Sequence, residues 1–379
     1  MTDRTDPIRL CLLIAALSLA AAPASAARFS QTAENAGLHY RQHDDAFEPV
    51  IELEILSGGA AAGDYDGDGW VDLYVTRLDD TDILFRNRGA TRNGSGPWFE
   101  RVTEVAGITT ADNTNGAAWG DIDNDGDLDL FVTTIQSHRF YLYVNQGDGT
   151  FVEEAIERGV ALESTLLHRA FSVTFGDYDR DGWLDIHTNE WEIDELHPAS
   201  HFHTVLLRNL GERRPGHFME VTHESNAQAG NGTFQFAFSS SFSDLDWDGW
   251  PDLVVTGDYG SSQIFWNDGD GSFTEGADEA GANRGVNEMG SAIGDINLDG
   301  RLDWFVTSTY SDNRLYLNQG ERRFNEVAAA QGVDDGGWGW GTALFDHDND
   351  GDLDLIMTNG WHQVEKPEEK HLFEDPLYF

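Results

Sequence analysis

The stretch Asp64-Tyr-Asp-Gly-Asp-Gly-Trp-Val-Asp72 decides the fold, and it has the form D-x-D-x-D-G-x-x-D. The pattern occurs six times, and loops 1 to 6 begin at Asp64, Asp121, Asp177, Asp244, Asp295 and Asp346. Short Asp side chains at alternate positions of a tight turn can converge on one ion, and Ca²⁺ accepts six to eight oxygen ligands in irregular geometry. The Gly at the sixth position permits a sharp turn. The pattern therefore predicts Ca²⁺ as a structural cofactor at up to six sites.

The predicted ligands of each loop are the side chains at positions one, three, five and nine and the backbone carbonyl at position seven. They are Asp64, Asp66, Asp68, Trp70 and Asp72 in loop 1; Asp121, Asp123, Asp125, Asp127 and Asp129 in loop 2; Asp177, Asp179, Asp181, Trp183 and Asp185 in loop 3; Asp244, Asp246, Asp248, Trp250 and Asp252 in loop 4; Asp295, Asn297, Asp299, Arg301 and Asp303 in loop 5; and Asp346, Asp348, Asp350, Asp352 and Asp354 in loop 6. Asn297 offers an oxygen with one charge less, so we expect loop 5 to bind more weakly. The competing interpretation, solvated Asp-Gly turns, does not account for four acids in a register that recurs along the chain.

The sequence after each loop distinguishes it from an EF-hand. An EF-hand loop needs a bidentate Glu at position twelve and a helix after it. Position twelve holds Val75 in loop 1 and Thr188 in loop 3, and β-rich segments such as Asp72-Leu-Tyr-Val-Thr76 follow the loops. Each loop therefore leads into a strand.

Successive loops begin 57, 56, 67, 51 and 51 residues apart, a period typical of propeller blades. A segment of small residues, such as 58–63, precedes each loop and predicts an inner strand near a narrow axis. The strand after the loop is followed by an apolar strand that ends in Asn-x-Gly and by an outer strand that begins with Phe. Four short antiparallel strands per repeat predict an all-β fold, a β-propeller of four-stranded blades.

The ends of the chain bear on the number of blades. The Phe of the outer strand occurs at Phe29, before any loop, and no copy follows loop 6. Six loops and six outer strands match if the N-terminal strand completes the last blade, which would leave no open sheet edge. We therefore predict six blades closed by the termini, with seven blades as the alternative.

Composition limits the partners and the compartment. The formal net charge is -45, which argues against nucleic acid, because a phosphate backbone requires a basic face. Residues 1–26 read as a signal peptide, with an apolar run over 10–22 and an Ala24-Ser25-Ala26 cleavage site, so residues 27–379 would form the exported propeller. The run is too short to span a membrane, and no later segment could cross one. The single Cys11 lies in this segment, so the exported part would have no disulfides. Bound calcium is then the candidate for stabilising it.

Two repeats carry long insertions between their second and third strands, at 190–203 and 359–370, and loops of this length are often functional. Trp191 and Trp361 open them and could contact a sugar or a protein, or could simply pack. Trp338 and Trp340 lie in the predicted inner strand of repeat six, where we expect them to pack between blades.

Five histidines lie in one part of the sequence: His168, His187, His197, His201 and His203. These histidines could bind a transition metal, although a polar loop without metal is the interpretation we favour.

The loops, the Asn-x-Gly hairpins and the period together resemble the FG-GAP/VCBS repeat family over residues 28–379. That family includes the calcium-binding propeller of integrin α-subunits, which has seven blades, and the cartilage acidic protein-like secreted proteins. The resemblance implies that the Asp residues of the loops bind calcium.

No catalytic motif is present in the sequence, so the function we expect is binding of an extracellular protein or glycan, as in adhesion. The alternatives are a polysaccharide lyase or hydrolase that uses the propeller face, and a structural surface or matrix protein, because a fold does not choose among them.

Overall fold

The computed structural model describes residues 29–42, 57–90, 96–192, 204–229, 235–282, 285, 287–309 and 312–359. The chain divides into a unit of residues Met1–Gln31 and a unit of residues Thr32–Phe379. The predicted signal peptide and Trp361 lie outside the described residues. In the described part of the chain, no helix is long and apolar enough to cross a membrane.

The second unit is nearly all β-structure and follows the predicted repeat. The strands of repeats one and two are β1 (Ala60–Gly63), β2 (Asp72–Val75), β3 (Asp80–Thr81), β4 (Ile83–Ala90), β5 (Pro97–Arg101), β6 (Ala111–Asp112), β7 (Thr114–Gly120), β8 (Asp129–Thr134), β9 (Tyr141–Asn145) and β10 (Phe151–Glu153). Repeats three and four contain β11 (Ala170–Gly176), β12 (Asp185–Glu192), β13 (Thr204–Asn209), β14 (Phe218–Glu220), β15 (Gln235–Ser243), β16 (Asp252–Gly257), β17 (Gln263–Asn267) and β18 (Phe273–Glu275). Repeats five and six contain β19 (Glu288–Gly294), β20 (Asp303–Ser308), β21 (Arg314–Gly320), β22 (Arg323–Glu326), β23 (Gly339–Phe345) and β24 (Asp354–Asn359). Single-turn helices α1 (Ala155–Arg158), α2 (Ala277–Ala280) and α3 (Ala328–Gln331) follow three outer strands, and a 3₁₀ turn covers Gly211–Arg213.

Repeats one, two and five each form an antiparallel sheet of four strands, in the orders β1-β2-β4-β5, β7-β8-β9-β10 and β19-β20-β21-β22. Inner strands therefore pair with the strand after the loop, as predicted; in β1 and β2, for example, Gly63 lies opposite Asp72. Among the described residues, repeat six contributes the pair β23-β24. The all-β propeller architecture predicted from the repeat is confirmed, whereas the number of blades stays a prediction.

Repeats three and four differ from the prediction, because one sheet of eight strands contains both. Strand β12 extends to Glu192 and pairs with β15 through Trp191 opposite Phe236. The sequence placed 190–192 in a loop, and this was wrong. The added pairing satisfies backbone groups that a loop would leave to solvent.

The hydrophobic core lies between successive sheets. Tyr74 packs with Leu130 and Tyr143 between repeats one and two, and Val254 packs with Trp304 between repeats four and five. The inner strands approach closely: a Cβ atom on Gly116 of β7 would lie 2.5 Å from the carbonyl oxygen of Phe171 in the next repeat. At Gly116 the close approach of the next inner strand thus leaves no room for a side chain, which agrees with the predicted narrow axis.

The outer strands begin at or near the predicted Phe in five repeats, with Phe99, Phe151, Phe218, Phe273 and Phe324 in β5, β10, β14, β18 and β22. Residues 29–31 belong to none of the described strands, so closure by Phe29 stays a prediction. In the second unit, the amide of Phe99 donates to Ala36 O at 2.7 Å, as Phe151 donates to Ala106 O at 2.8 Å. The turn at 33–37 therefore occupies the place that the end of a preceding repeat occupies elsewhere.

Candidate metal loops and central cavity

The six loops share one backbone conformation, which the first Asp fixes. Its carboxylate accepts the amide of the Gly at position six, at 2.8 to 3.0 Å in all six loops. Position four has positive φ throughout: Gly67 in loop 1, and then Asn124, Arg180, Trp247, Leu298 and Asn349. This left-handed conformation is unfavourable for residues other than Gly, so the loop geometry prevails over the preference of these side chains.

Three carboxylates of the predicted ligand set converge in each of loops 1 to 4. Oxygen atoms of Asp64, Asp66 and Asp72 lie within 4.8 Å of one another, and the corresponding sets of loops 2 and 3 do the same. In loop 4 the set is Asp244, Asp246 and Asp248. Such close carboxylates repel one another unless a cation or protons neutralise them.

Unpaired buried oxygens test whether a cation fits these loops. The Oδ1 atoms of Asp66, Asp123 and Asp244 are buried and accept no hydrogen bond from the described residues; Asp66 Oδ2 accepts none either, but it is ion-paired with Arg86. A buried carboxylate oxygen without a partner is costly, and oxygen is the ligand that Ca²⁺ prefers. The donor set therefore fits calcium, which the carboxylates of positions one, three, five and nine would hold.

The Asp at position nine also joins two strands. In loops 1 to 5 one of its oxygens accepts the amide of the Asn that ends the third strand, at 2.7 to 2.9 Å. Burial raises the pKa of Asp72 to about 6, of Asp129 and Asp252 to about 7, and of Asp185 to about 8. Without a cation these carboxyl groups favour the protonated form, so calcium and protons compete for them.

Loop 6 departs from this arrangement. Its second residue is His347, where the other loops have Tyr65, Ile122, Tyr178, Leu245 and Ile296. The amide of His347 donates to Asp354 at 2.9 Å, and its Nδ1 lies 2.5 Å from the same carboxylate, which holds the pKa of Asp354 below its ordinary value. The Asp354 side chain is 41% exposed, whereas Asp72 and Asp185 are fully buried.

The Asn that ends the third strand connects neighbouring repeats, a role that the sequence did not reveal. Its side-chain amide donates at 2.7 to 2.9 Å to the carbonyl at position two of the preceding loop. The four pairs are Asn145 to Tyr65, Asn209 to Ile122, Asn267 to Tyr178 and Asn318 to Leu245. The recurrent Asn-x-Gly was interpreted only as a hairpin turn, although the Asn lies 15 or 16 residues after the ninth Asp in four repeats, a spacing that was a signal for this contact.

Further contacts connect one loop to the next. Asn124 at position four of loop 2 donates to Gly182 O of loop 3 at 3.0 Å. At the same position of loop 3, the Arg180 guanidinium lies 5.2 Å above the Trp250 ring of loop 4. Loops 2, 3 and 4 are thus connected to one another across repeats.

Arginines contact the Asp at position three of four loops. The pairs are Arg86 with Asp66, Arg158 with Asp123, Arg208 with Asp179 and Arg322 with Asp246, at 2.5 to 3.4 Å. Arg322 belongs to repeat five and reaches loop 4 of the preceding repeat from a turn in which Glu321 and Arg322 both have positive φ. These guanidinium groups neutralise part of the acid, and they were not among the predicted site residues.

A second candidate site lies at the opposite ends of the inner strands. Residues of all six repeats line one central cavity of about 730 Å³, among them Ser57, Asn115, Phe171, Phe238, Met289 and Trp340. These residues stand before or early in the inner strands, whereas the metal loops follow the ends of those strands. Trp340 was expected to pack between blades; it is half-buried and lines the cavity.

The histidine hypothesis is only partly covered by the described residues. His168 Nδ1 lies 2.8 Å from Glu190, and His187 Nδ1 lies 2.9 Å from Ser240 Oγ. Burial lowers the pKa of His187 to about 3, so its ring is neutral. The two rings thus have separate partners, and His197, His201 and His203 lie outside the described residues.

Trp191 is half-buried and packs against Phe236, with 5.4 Å between ring centroids.

Comparison with known proteins agrees with the repeat. A model of the FG-GAP-like repeat matches residues 64–132, 131–188, 244–306 and 295–357, which together make up more than half of the chain. No curated protein matches.

Similar solved structures include an Agrocybe aegerita lectin that recognises non-reducing terminal N-acetylglucosamine, at 17% identity and TM-score 0.42, over 72% of this chain and 65% of that one. The V. cholerae biofilm matrix protein Bap1 aligns at 12% identity and TM-score 0.37, over 71% of this chain and 38% of that one. An α-L-arabinofuranosidase of Fusarium graminearum aligns at 8% identity and TM-score 0.43, over 80% of this chain and 87% of that one. The chain therefore spans less than two thirds of the length of the lectin and of Bap1.

Proposed function

The chain belongs to the FG-GAP-like repeat family, and we propose that it is an exported, calcium-stabilised β-propeller that binds an extracellular glycan or protein. Calcium at the six loops would stabilise the blades and take no part in binding the partner. The partner would bind at the ends of the blades remote from the loops.

The observation that carries this proposal is the separation of the two sites along the inner strands. Each metal loop is tied to a neighbouring strand through its ninth Asp and, in four repeats, to the following repeat through an Asn side chain. A site so closely built into the sheet suits a structural ion. The central cavity has the volume of a ligand pocket, within the usual ~300–1,000 Å³.

The lining of the cavity favours binding over catalysis. No Asp, Glu, Lys, Arg or His is among the described residues that line it. Glycoside hydrolysis by the usual mechanism requires a pair of carboxyl groups beside the scissile bond. Among the described residues, a lyase or hydrolase site would therefore have to use carboxyl groups outside this lining.

The test is retention of the protein on immobilised glycans and extracellular matrix proteins in excess calcium, with the soluble phase analysed for shortened products. We expect retention without product. Release of shortened saccharides would replace the binding proposal with the enzyme alternative, and retention on no surface would favour the structural alternative.

A further inference from the structure

We infer that the central cavity binds a neutral sugar ring of a glycan. The inference rests on the proposed function and narrows it from glycan or protein to one chemical class.

Three aromatic side chains form one wall of the cavity. Phe238 of β15 lies between Phe171 of β11 and Trp340 of β23, with centroid distances of 4.8 and 6.1 Å and interplanar angles of 72° and 88°. Phe171 and Trp340 are half-buried, so part of each ring remains accessible. The negative face of an aromatic ring attracts weakly positive C–H groups, and one face of a pyranose ring consists of such groups.

Hydroxyl groups supply the polar part of the lining. Thr342 Oγ1 donates to Ile356 O at 2.9 Å, Thr358 Oγ1 to Gly341 O at 3.2 Å, and Ser239 Oγ to Met289 O at 3.5 Å. A hydroxyl that donates its proton keeps lone pairs that can accept from a ligand. These three oxygens therefore suit the O–H groups of a sugar.

Ser57 complements them as a donor. Its Oγ accepts a hydrogen bond from Gln42 Nε2 at 3.0 Å, which leaves the Ser57 O–H group to donate to a sugar oxygen. The cavity thus presents both acceptors and a donor beside an aromatic wall. In most small-molecule sites, a small number of polar groups in a mostly apolar pocket orient the ligand.

Charge selects among sugars. The chain has 68 acidic and 23 basic residues, yet no charged side chain is among the described residues that line the cavity. A carboxylate or sulfate ligand would lose its hydration without a cationic partner, and the negative field of the protein would oppose its entry. An acidic polysaccharide is thereby disfavoured, and a neutral one is the class that fits.

The experiment uses the full chain in excess calcium and measures tryptophan fluorescence and calorimetric heat during titration. The probes are glucose-, galactose- and mannose-based oligosaccharides, polyuronate oligosaccharides of equal length, and indole as an apolar probe. We expect binding of at least one neutral oligosaccharide and more than tenfold weaker binding of the polyuronates and of indole.

Variants locate the site. Trp340→Ala and Phe171→Ala should each weaken the neutral sugar at least tenfold, and Ser239→Phe, which fills the cavity, should do the same. Trp98→Ala, which removes a 41% exposed Trp of the outer strand β5, is the matched control and should leave binding unchanged. Thermal melts in calcium confirm that each variant is folded.

The outcomes separate this inference from the proposed function. Sugar binding that survives all three cavity variants would overturn the cavity assignment and leave a glycan-binding propeller. Preference for polyuronates or for indole would overturn the ligand class, and binding of none of the oligosaccharides would overturn the inference as a whole. Retention on protein surfaces would still sustain the proposed function in that case.

Discussion

The two ends of the inner strands differ in how far their residues recur from one repeat to the next. At one end each repeat places a loop with Asp at positions one, five and nine, Gly at position six and a left-handed backbone at position four. At the other end each repeat contributes something different to the cavity, such as Asn115, Phe171, Met289 or Trp340. Residues that recur in register serve contacts that every blade must make, whereas residues that vary among repeats can serve a single ligand.

Removing one Asn between two repeats should give the largest effect of a single substitution at the loop end. Asn209 donates to Ile122 O and Leu184 O and accepts from the amide of Gly211. Asn209→Ala should lower the free energy of unfolding by about 3 kcal/mol, because buried partners lose hydrogen bonds worth about 1 kcal/mol each. Urea denaturation in excess calcium measures this change in the free energy of unfolding.

Asn87→Ala is the matched control. The Asn87 side chain donates to Val71 O of its own repeat and accepts from Gly89 N, and no described residue of another repeat accepts from it. We expect a loss about 1 kcal/mol smaller than that of Asn209→Ala. Equal losses would mean that the contact between repeats contributes nothing.

Acidity should stabilise the calcium-free protein. Burial raises the pKa of Asp129 to about 7 and of Asp185 to about 8, above the value of about 4 for an unfolded Asp. The stability these groups contribute is fully present below pH 4 and is lost as the pH rises through 7 to 8. From pH 5 to pH 8 we expect the chelated protein to lose roughly 4 to 7 kcal/mol, because each of these groups costs about 1.4 kcal/mol for every pH unit over which only the folded state keeps its proton, and we expect excess calcium to reverse the loss.

The variant Asp185→Asn cannot ionise and should show a smaller loss between the same pH values in chelator. Urea denaturation at both pH values and at two salt concentrations separates this local effect from general repulsion among the acids. A chelated protein that gains stability toward pH 8 would contradict the account of the ninth position.

Removing an arginine should tighten calcium binding at one loop. Arg322 pairs with Asp246 and Asp248 from the neighbouring repeat. Arg322→Gln should strengthen one calcium site by up to about tenfold, because the guanidinium no longer offsets the negative charge that attracts the ion. Calorimetric calcium titration measures the affinity of this site. Arg139→Gln is the control, because the partner of Arg139 is Glu153. Weaker calcium binding would show that Arg322 holds the loop in its binding conformation.

The smallest effect is expected in loop 5. Asn297 Oδ1 accepts the amide of Asp299 at 2.9 Å, so the third position already has the geometry of the other loops. Asn297→Asp should strengthen one calcium site by about threefold through the added charge. Calcium titration of Asn297→Asp tests this increase in affinity, and an unchanged set of affinities would exclude Asn297 as a ligand.

The sequence predicted what is local and periodic. The spacing of Asp64 to Asp72 and the strand that follows defined the loops, and the Asn-x-Gly turns defined the third and fourth strands. It did not predict that Asn209 reaches Ile122, because these residues are 87 positions apart and only the packing of neighbouring repeats brings them together. For the same reason the pairing of β12 with β15 and the place of Trp340 in the cavity required the structure. The local pattern around Trp340 is the same for a packed ring and for a ligand-binding one.

The thermal midpoint with calcium and after complete chelation tests the central claim that ions at the six loops hold the blades together. A single site at a hundredfold excess over its Kd contributes about 2.7 kcal/mol, and several occupied sites contribute more. We therefore predict a fall of about 10 °C or more on chelation, reversed by added calcium. An unchanged midpoint in protein shown to be free of calcium would contradict the claim.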